Sequence, residues 1–279
     1  MRSYARRVYG RAIAAGYSPA RLAALKYRSL YYLSYFVSLL PIPLRFILLL
    51  SLSNKEGAGE HHYGRVYGKI LFRFKYRPMK LLEIGVGGYA GHTGGASLNA
   101  WQLYFPFARI IGVDIEDRSV LANLRTRIYR LDQGDAAALR DLAQRERAFD
   151  VVIDDGSHQS RHVVQTFNAL FPCIREGGVY IVEDVQTSYW DFDGWGGRPL
   201  TSPQFDETAM GYFTRLSRYL NYMEIPASER RKIEGVEESR LMLELAQSIG
   251  SIRFLHNLVV IEKHRNNETS TIDEQLQAK

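Results

Sequence analysis

The stretch LLEIGVGG at residues 81–88 decides the fold of this chain of 279 residues. An apolar run that ends in a glycine-rich turn is typical of a buried parallel strand followed by a ligand-binding loop. Gly85 and Gly87 would let the backbone approach a ligand closely at the carboxyl end of that strand. These glycines, together with Ala90, also fit the dinucleotide fingerprint G-x-G-x-x-A, so the turn alone does not identify the ligand.

Further apolar runs follow the turn and alternate with helical patterns, which predicts a parallel α/β sheet. The five predicted parallel strands cover residues 80–86, 109–115, 127–132, 149–154 and 178–184. Residues 251–263 predict two more strands joined by a tight turn at His256-Asn257. The predicted fold class is therefore α/β, with a Rossmann-like and mostly parallel sheet that ends in an antiparallel hairpin.

The basic charge of the chain is concentrated at its N-terminus. Residues 1–54 hold eight of the 36 basic residues and none of the 30 acidic ones, which leaves 28 basic and 30 acidic residues beyond them. The remainder thus has a net charge of −2 and no basic motif with interleaved aromatics, so we expect no nucleic-acid partner. The lone Cys173 excludes an internal disulfide.

An almost continuous apolar run covers residues 30–52 and approaches the ~20 residues that a membrane span requires. Pro41, Pro43 and Arg45 interrupt it, and the two prolines are expected to break a helix midway. Three interpretations remain open, namely a helical appendage packed on the domain or on a partner subunit, an interfacial membrane attachment, and a true span.

The predicted domain organisation follows this change in composition. Residues 1–54 would form a basic and apolar N-terminal helical appendage, with peripheral membrane contact through residues 1–52 as one of its possible roles. Residues 55–265 would form the main domain, and residues 266–279 a polar tail.

Polar side chains at the ends of the first three strands indicate the ligand. Glu83 precedes the first glycine of the turn, where a carboxylate would repel a pyrophosphate but attract the ammonium of a methionine moiety. This position favours S-adenosylmethionine over NAD. Asp114 could accept both hydroxyls of a ribose, while Asp132 and Gln133 could bind an adenine edge. The alternative for Asp114 and Asp132 is capping of the following helix.

Carboxylates also end the fourth and fifth predicted strands, which read IDDGSH and VED. Adjacent parallel strands would bring Asp155, Glu183 and Asp184 to one edge of the sheet. Such a cluster is unfavourable unless a cation or shared protons compensate the charge. Oxygen ligands suit Mg²⁺ before Mn²⁺ or Ca²⁺. The sequence therefore predicts a magnesium site, with capping by these carboxyl groups as the alternative.

His158 follows the same strand and is the candidate general base, because a neutral imidazole at this edge can accept a proton. The alternative is a structural histidine. The loop at residues 186–207 is rich in glycine and aromatics, and Trp190, Phe192 and Trp195 would either stack on an acceptor or only pack the loop.

These motifs resemble the metal-dependent sugar O-methyltransferases of macrolide biosynthesis, such as the mycinamicin and demethylmacrocin O-methyltransferases, and the related cephalosporin hydroxylase-like proteins. The resemblance spans residues 54–263, and its specific part is IDDGSH paired with GGVYIVED. It implies a class I methyltransferase that binds S-adenosylmethionine and Mg²⁺, with Mn²⁺ as a substitute, and uses His158 as the base. The implied metal ligands are Asp155, Glu183 and Asp184. The implied residues for the methyl donor are Glu83, Ser97, Asp114 and Gln133.

The resemblance also implies an activity, namely O-methylation of a hydroxyl on a sugar-containing small molecule. The apolar N-terminal run instead suits a glycolipid acceptor, a hypothesis that rests on composition alone. We expect a cytoplasmic homo-oligomer, acting free or at the inner face of the membrane. The macrolide enzymes have a different, larger N-terminal appendage, so acceptor and assembly do not transfer with the motifs. Two alternatives remain: a metal-dependent oxygenase that binds iron through His158 with His61 or His62, and a non-catalytic membrane-proximal binding protein.

Overall fold

The computed structural model describes residue 18 and residues 36–57, 61–87, 93–192 and 194–267. The strands are β1 (Met79–Ile84), β2 (Ala108–Asp114), β3 (Thr126–Arg130), β4 (Phe149–Asp154), β5 (Ile174–Glu183), β6 (Ile249–Leu255) and β7 (Leu258–Lys263). The α-helices of this part of the chain are α1 (Leu44–Leu50), α2 (Gly64–Leu71), α3 (Ala96–Tyr104), α4 (Ala136–Glu146), α5 (Ser160–Leu170), α6 (Ala209–Ser217), α7 (Ala227–Glu234) and α8 (Glu237–Ala246).

The seven strands form one mixed sheet in the order β3-β2-β1-β4-β5-β7-β6. Parallel pairing joins β1 to β2, β2 to β3, and β4 to β5. β7 runs antiparallel to both β5 and β6. The predicted sheet, mostly parallel with a C-terminal antiparallel hairpin, is therefore confirmed. Asn257 in the hairpin turn has a φ of 60°, the left-handed backbone that such a tight turn needs.

Burial explains why the strands are visible in the sequence. Every residue of β4 is buried, as are five of the six residues of β1, and strands covered on both faces have continuous apolar runs. β5 begins at Ile174, four residues before its predicted start at residue 178. Arg175 and Glu176 in this first part are exposed, so they carry no apolar pattern.

The chain divides into two compact units, residues 1–132 and residues 133–279. In the first unit, α1 packs against α2 and α3 and buries Leu44, Ile47 and Leu48. The predicted boundary after residue 54 marks a change in composition, but α1, which precedes it, packs on helices that follow it. The three-part domain organisation stays a prediction.

The apolar N-terminal run is broken where its prolines predict. The backbone after Pro41 has no regular structure, and α1 begins directly after Pro43. Within the described ranges, none of the helices has the length and apolar character needed to cross a membrane. Residues 19–35 of this region and the polar tail from residue 268 onward lie outside the described residues.

Candidate active site

Glu83 lies near the end of β1 and is fully buried among three donors. Its Oε2 accepts hydrogen bonds from the Ser97 hydroxyl at 2.8 Å and from the Trp101 indole nitrogen at 2.9 Å. The Nζ of Lys55 lies 3.3 Å from Oε1, and both side chains of this ion pair are fully buried. Glu83 and Ser97 are therefore together, as predicted for the methyl donor, but a cation of the chain itself already faces the carboxylate.

The glycine turn after β1 packs closely against Asp114, the last residue of β2. Gly85 adopts a φ of 83°, which favours glycine. A Cβ added at Gly87 would lie 2.6 Å from Asp114 Oδ2 and 2.8 Å from Arg118 Nη2. A side chain at this position would require the ends of Asp114 and Arg118 to shift, so the turn packs closely on these two residues.

Asp114 is buried at the carboxyl end of β2. Its Oδ1 accepts a hydrogen bond from the backbone N–H of Glu116 at 2.9 Å, and Arg118 Nε lies 3.6 Å from the same oxygen. Arg118 also contacts Glu116 at 2.7 Å. Asp114 thus shapes the turn that follows its strand, and its predicted bonds to a ribose stay a prediction.

Asp132 and Gln133 follow β3 and differ in their surroundings. Asp132 is exposed, and the cap of α4 is Asp135, whose carboxylate accepts from two backbone N–H groups. The capping alternative for Asp132 was therefore wrong.

The side-chain amide of Gln133 is buried and holds three partners. It donates to Asp154 at 2.8 Å and to Thr166 at 3.1 Å, and it accepts from the Ser157 N–H at 2.8 Å. In this arrangement the amide supports the loop after β4. Adenine binding by Asp132 or Gln133 stays a prediction.

Asp155, His158 and Asp184 converge at the ends of β4 and β5. One potential ligand atom of each lies within 4.8 Å of those of the other two. His158 Nε2 lies 4.0 Å from Asp155 Oδ1 and 3.9 Å from Asp184 Oδ2, and all three side chains are partly exposed. Two carboxylates and an imidazole at this spacing are a donor set that fits a divalent cation.

Two of these three residues have an unusual backbone conformation. His158 has a φ of 57° and Asp184 a φ of 54°. Non-glycine residues seldom adopt left-handed conformations, and those that do cluster at functional sites. This feature is not visible in the sequence, because nothing in the letters IDDGSH or VED indicates it.

Glu183, the third predicted metal ligand, is buried as the last residue of β5 and pairs with Leu258 of β7. The convergent group contains His158 in its place. The assignment of Glu183 to the metal stays a prediction.

Within the described residues this group holds one histidine, whereas a non-haem iron oxygenase site uses two histidines and one carboxylate.

Asp154 is a further carboxyl group beside this cluster, which sequence reasoning missed. It is fully buried at the end of β4, where it accepts hydrogen bonds from Gln133 and from the Tyr180 hydroxyl at 3.2 Å. Burial raises the pKa of Asp154 to about 7, although these hydrogen bonds and the nearby His158 oppose the shift. Asp154 is therefore readily neutralised, unlike an exposed aspartate.

The aromatic side chains after β5 pack on one another. The ring centroids of Trp190, Phe192 and Trp195 lie 5.2 to 5.8 Å apart. Trp190 and Phe192 nevertheless remain 37% and 56% exposed. The backbone carbonyl of Trp195 accepts a hydrogen bond from the N–H of Ser160, two residues after His158. The three rings therefore pack the loop, and stacking on an acceptor stays a prediction.

A cavity of about 730 Å³ lies elsewhere in the second unit, among α4, α5, α6 and α8. Its walls include both basic and acidic side chains but none of the predicted site residues. The candidate site is therefore identified by the convergence of its side chains and not by the position of this cavity.

Comparison with known proteins bears on the identity of this site. Residues 82–185, which include the glycine turn, Asp114, His158 and both convergent carboxylates, match a family described as a methyltransferase domain. Over this range the chain is similar to methyltransferase domains. This match agrees with the resemblance found in the sequence motifs, and the convergent Asp155, His158 and Asp184 lie within the matched range.

The curated relatives of this chain are named as O-methyltransferases of glycosylated compounds. The chain is 38% identical over 226 residues to the 8-demethyl-8-alpha-L-rhamnosyl tetracenomycin-C 2'-O-methyltransferase of Streptomyces olivaceus, a match that covers 78% of this chain and 55% of the relative. It is also 37% identical over 210 residues to the mycinamicin VI 2''-O-methyltransferase of Micromonospora griseorubida. That match covers 75% of this chain and 49% of the relative. The chain thus spans about half the length of the curated relatives that it matches.

A solved structure shares the fold. The MycE methyltransferase of the mycinamycin biosynthetic pathway, in complex with Mg, SAH and mycinamycin VI, has a TM-score of 0.71 to this chain at 33% sequence identity. The match covers 84% of this chain and 58% of MycE. The fold is therefore that of a class I methyltransferase.

Proposed function

We propose that the chain is an S-adenosylmethionine-dependent, Mg²⁺-assisted O-methyltransferase that acts on a hydroxyl group of a sugar or glycoside. The observation that carries this proposal is the convergence of His158 with Asp155 and Asp184, at 4.0 and 3.9 Å. A base beside two carboxylates suits deprotonation of a hydroxyl. The relatives' names support the sugar as acceptor, and the complex of MycE with Mg and SAH supports the cofactors.

Asp155 and Asp184 would hold the metal, with Glu183 as the further predicted ligand. When bound, Mg²⁺ supplies a Lewis acid that lowers the pKa of a hydroxyl group and orients neighbouring oxygens. The carboxylates are partly exposed, so a hydrated cation and an acceptor can reach them. Two acidic side chains this close to each other also repel each other until a cation compensates their charge.

His158 would accept the hydroxyl proton on Nε2 while the hydroxyl oxygen attacks the donor methyl carbon. The bond between that carbon and the donor sulfur breaks in the same displacement, which leaves S-adenosylhomocysteine. His158 is held for this role by its left-handed backbone, which turns the imidazole toward Asp155 and Asp184.

Donor binding is assigned to the first unit. Gly85 and Gly87 would line the donor through their backbone, and Asp114 would accept the ribose hydroxyls. Glu83 and Ser97 would stabilise the methionine end. The close packing of Gly87 on Asp114 fits this assignment, because the turn leaves no room for a side chain.

Calorimetric titration with S-adenosylmethionine, with and without Mg²⁺, tests the proposal. We expect donor binding in both conditions, and methyl transfer to a glycoside such as mycinamicin VI only with the metal, seen as a gain of 14 daltons by mass spectrometry. Asp155→Ala is expected to abolish the response to Mg²⁺, while Asp141→Asn on the exposed face of α4 leaves it unchanged. A chain that binds no S-adenosylmethionine would refute the proposal. Oxygen consumption with a 2-oxo acid would instead favour the oxygenase.

We also propose peripheral contact with an anionic lipid surface through residues 1–52, at the cytoplasmic face of the membrane. Phe36 and Phe46 are 76% and 58% exposed, and eight basic residues without an acidic one lie in the same region. Exposed apolar side chains beside basic ones are typical of interfacial membrane binding.

Vesicle sedimentation tests this contact. We expect the chain to sediment with vesicles that contain phosphatidylglycerol and to do so less with pure phosphatidylcholine. Phe36→Ser combined with Phe46→Ser should release it, whereas Phe107→Ser, at an aromatic that is 53% exposed elsewhere in the chain, should not. Equal sedimentation of all variants, or none by the wild type, would contradict the contact. Deletion of residues 1–52 is a poorer test because it would also remove the buried face of α1.

A further inference from the structure

Thr187 is buried in the single-turn helix that follows β5 (Val185–Tyr189) and contacts both strained residues of the site. Its Oγ1 lies 3.0 Å from the backbone carbonyl oxygen of His158 and 3.0 Å from that of Asp184. The first contact joins the turn after β4 to the turn after β5, across 29 residues of sequence.

The two carbonyls belong to the residues whose side chains approach each other in the cluster. His158 and Asp184 both have left-handed backbone conformations, which side-chain-bearing residues adopt only when their surroundings hold them. A threonine hydroxyl has one proton to donate, so the two carbonyls share it, and the carbonyl of Asp184 also accepts from the Thr187 backbone N–H at 3.2 Å. Thr187 is thus fixed to the turn after β5 by two contacts and joins it to the turn after β4 through its hydroxyl.

We propose that Thr187 is a positioning residue that sets the separation between the base His158 and the metal ligand Asp184. This inference rests on the proposed function, because the roles of both residues come from it. Without the hydroxyl, the carbonyl of Asp184 keeps its bond from the Thr187 backbone N–H, but the carbonyl of His158 loses its contact with the turn after β5. That contact no longer supports the 3.9 Å approach of His158 Nε2 to Asp184 Oδ2. Metal affinity should fall, since groups that orient metal ligands typically contribute 10- to 100-fold to it.

Thr187→Val tests the proposal, because valine keeps the shape of threonine and removes the hydroxyl. Mn²⁺ serves as the probe, with binding to the full chain measured by electron paramagnetic resonance. We expect affinity to fall by roughly 10-fold or more, with unchanged S-adenosylmethionine binding by calorimetry. Thr187→Ser should restore the wild-type affinity. The matched control is Thr126→Val, the same change at a buried threonine of β3.

The outcomes separate this inference from the proposed function. Failure of the wild type to bind Mn²⁺ contradicts the metal site itself. Tight Mn²⁺ binding by wild type and Thr187→Val alike overturns only the positioning role, as does a Thr187→Ser variant as weak as Thr187→Val. If circular dichroism shows that Thr187→Val does not fold, the Mn²⁺ affinities of Thr187→Ser and Thr187→Cys are compared instead. These two variants differ only in having a hydroxyl oxygen or a thiol sulfur at the same position. Equal affinity of those two variants would then overturn the role.

Discussion

The ammonium of Lys55 lies 3.3 Å from the carboxylate of Glu83, and neither side chain is accessible to solvent. Removing one partner of a buried ion pair leaves an uncompensated charge in a medium that cannot solvate it. We predict that Lys55→Met lowers the free energy of unfolding by about 3–5 kcal/mol, measured by urea denaturation. The same substitution in the exposed pair of Lys232 with Glu229 should change it by less than about 1 kcal/mol. Equal effects at the two lysines would show that the buried pair is not as described.

Turnover depends on His158 if it is the base. We predict that His158→Ala reduces turnover by ~10²- to 10⁴-fold while the affinity for S-adenosylmethionine stays the same, because base catalysis typically contributes this factor. Methyl transfer assays and calorimetry give the two quantities. His256→Ala in the exposed turn between β6 and β7 is the control and should keep full turnover. A His158→Ala variant with wild-type turnover would remove the proposed base.

The close packing around Gly87 leads to a prediction for the variant Gly87→Ala. In Gly87→Ala the new methyl group would meet Asp114 Oδ2 at 2.6 Å, and relieving such a contact typically costs about 1–3 kcal/mol. We expect donor affinity to fall by roughly tenfold or more in calorimetry, since Asp114 must move. Gly68→Ala, in α2 with open space around it, is the control and should leave donor affinity unchanged. Undiminished affinity in Gly87→Ala would show that this turn does not hold the donor.

The buried Asp154 predicts a pH dependence of stability. Its pKa rises from 3.8 to about 7 on folding because of burial, so the folded chain binds this proton more tightly than the unfolded one. The stabilising contribution of the protonated group is therefore complete below pH 4 and is lost as the pH rises toward 7.

Denaturation of wild type and Asp154→Asn in a chelator, at several values between pH 4 and pH 8, measures this loss. Relative to the variant, the wild type should become less stable up to pH 7 and show no further change above it. A stability difference that is constant over this range would contradict the raised pKa.

The sheet and the cluster at its edge could be predicted from sequence because local patterns encode them. β1, β4 and the hairpin are apolar runs with defined ends, and parallel neighbours necessarily align their carboxyl ends. This reasoning placed Asp155 and Asp184 together and His158 beside them. The same alignment suggested Glu183 as a further metal ligand, and that assignment stays a prediction.

Other parts of the site depend on contacts between distant residues. Lys55 reaches Glu83 from 28 positions earlier in the chain, and Thr187 reaches the carbonyl of His158 from 29 positions later. No periodicity or motif encodes such a pairing. Gln133 shows the same limit, because its position after β3 does not reveal that its amide binds Asp154 and Ser157, and its adenine contact stays a prediction.

The burial of α1 has a practical consequence for shortened versions of this chain. Composition suggests cutting after residue 54, yet Leu44, Ile47 and Leu48 fill the space against α2 and α3, and α3 carries the tryptophan that supports Glu83. A truncation at residue 54 would leave apolar surfaces of α2 and α3 uncovered. Truncations for crystallisation or assay should therefore keep the chain from Pro43 onward.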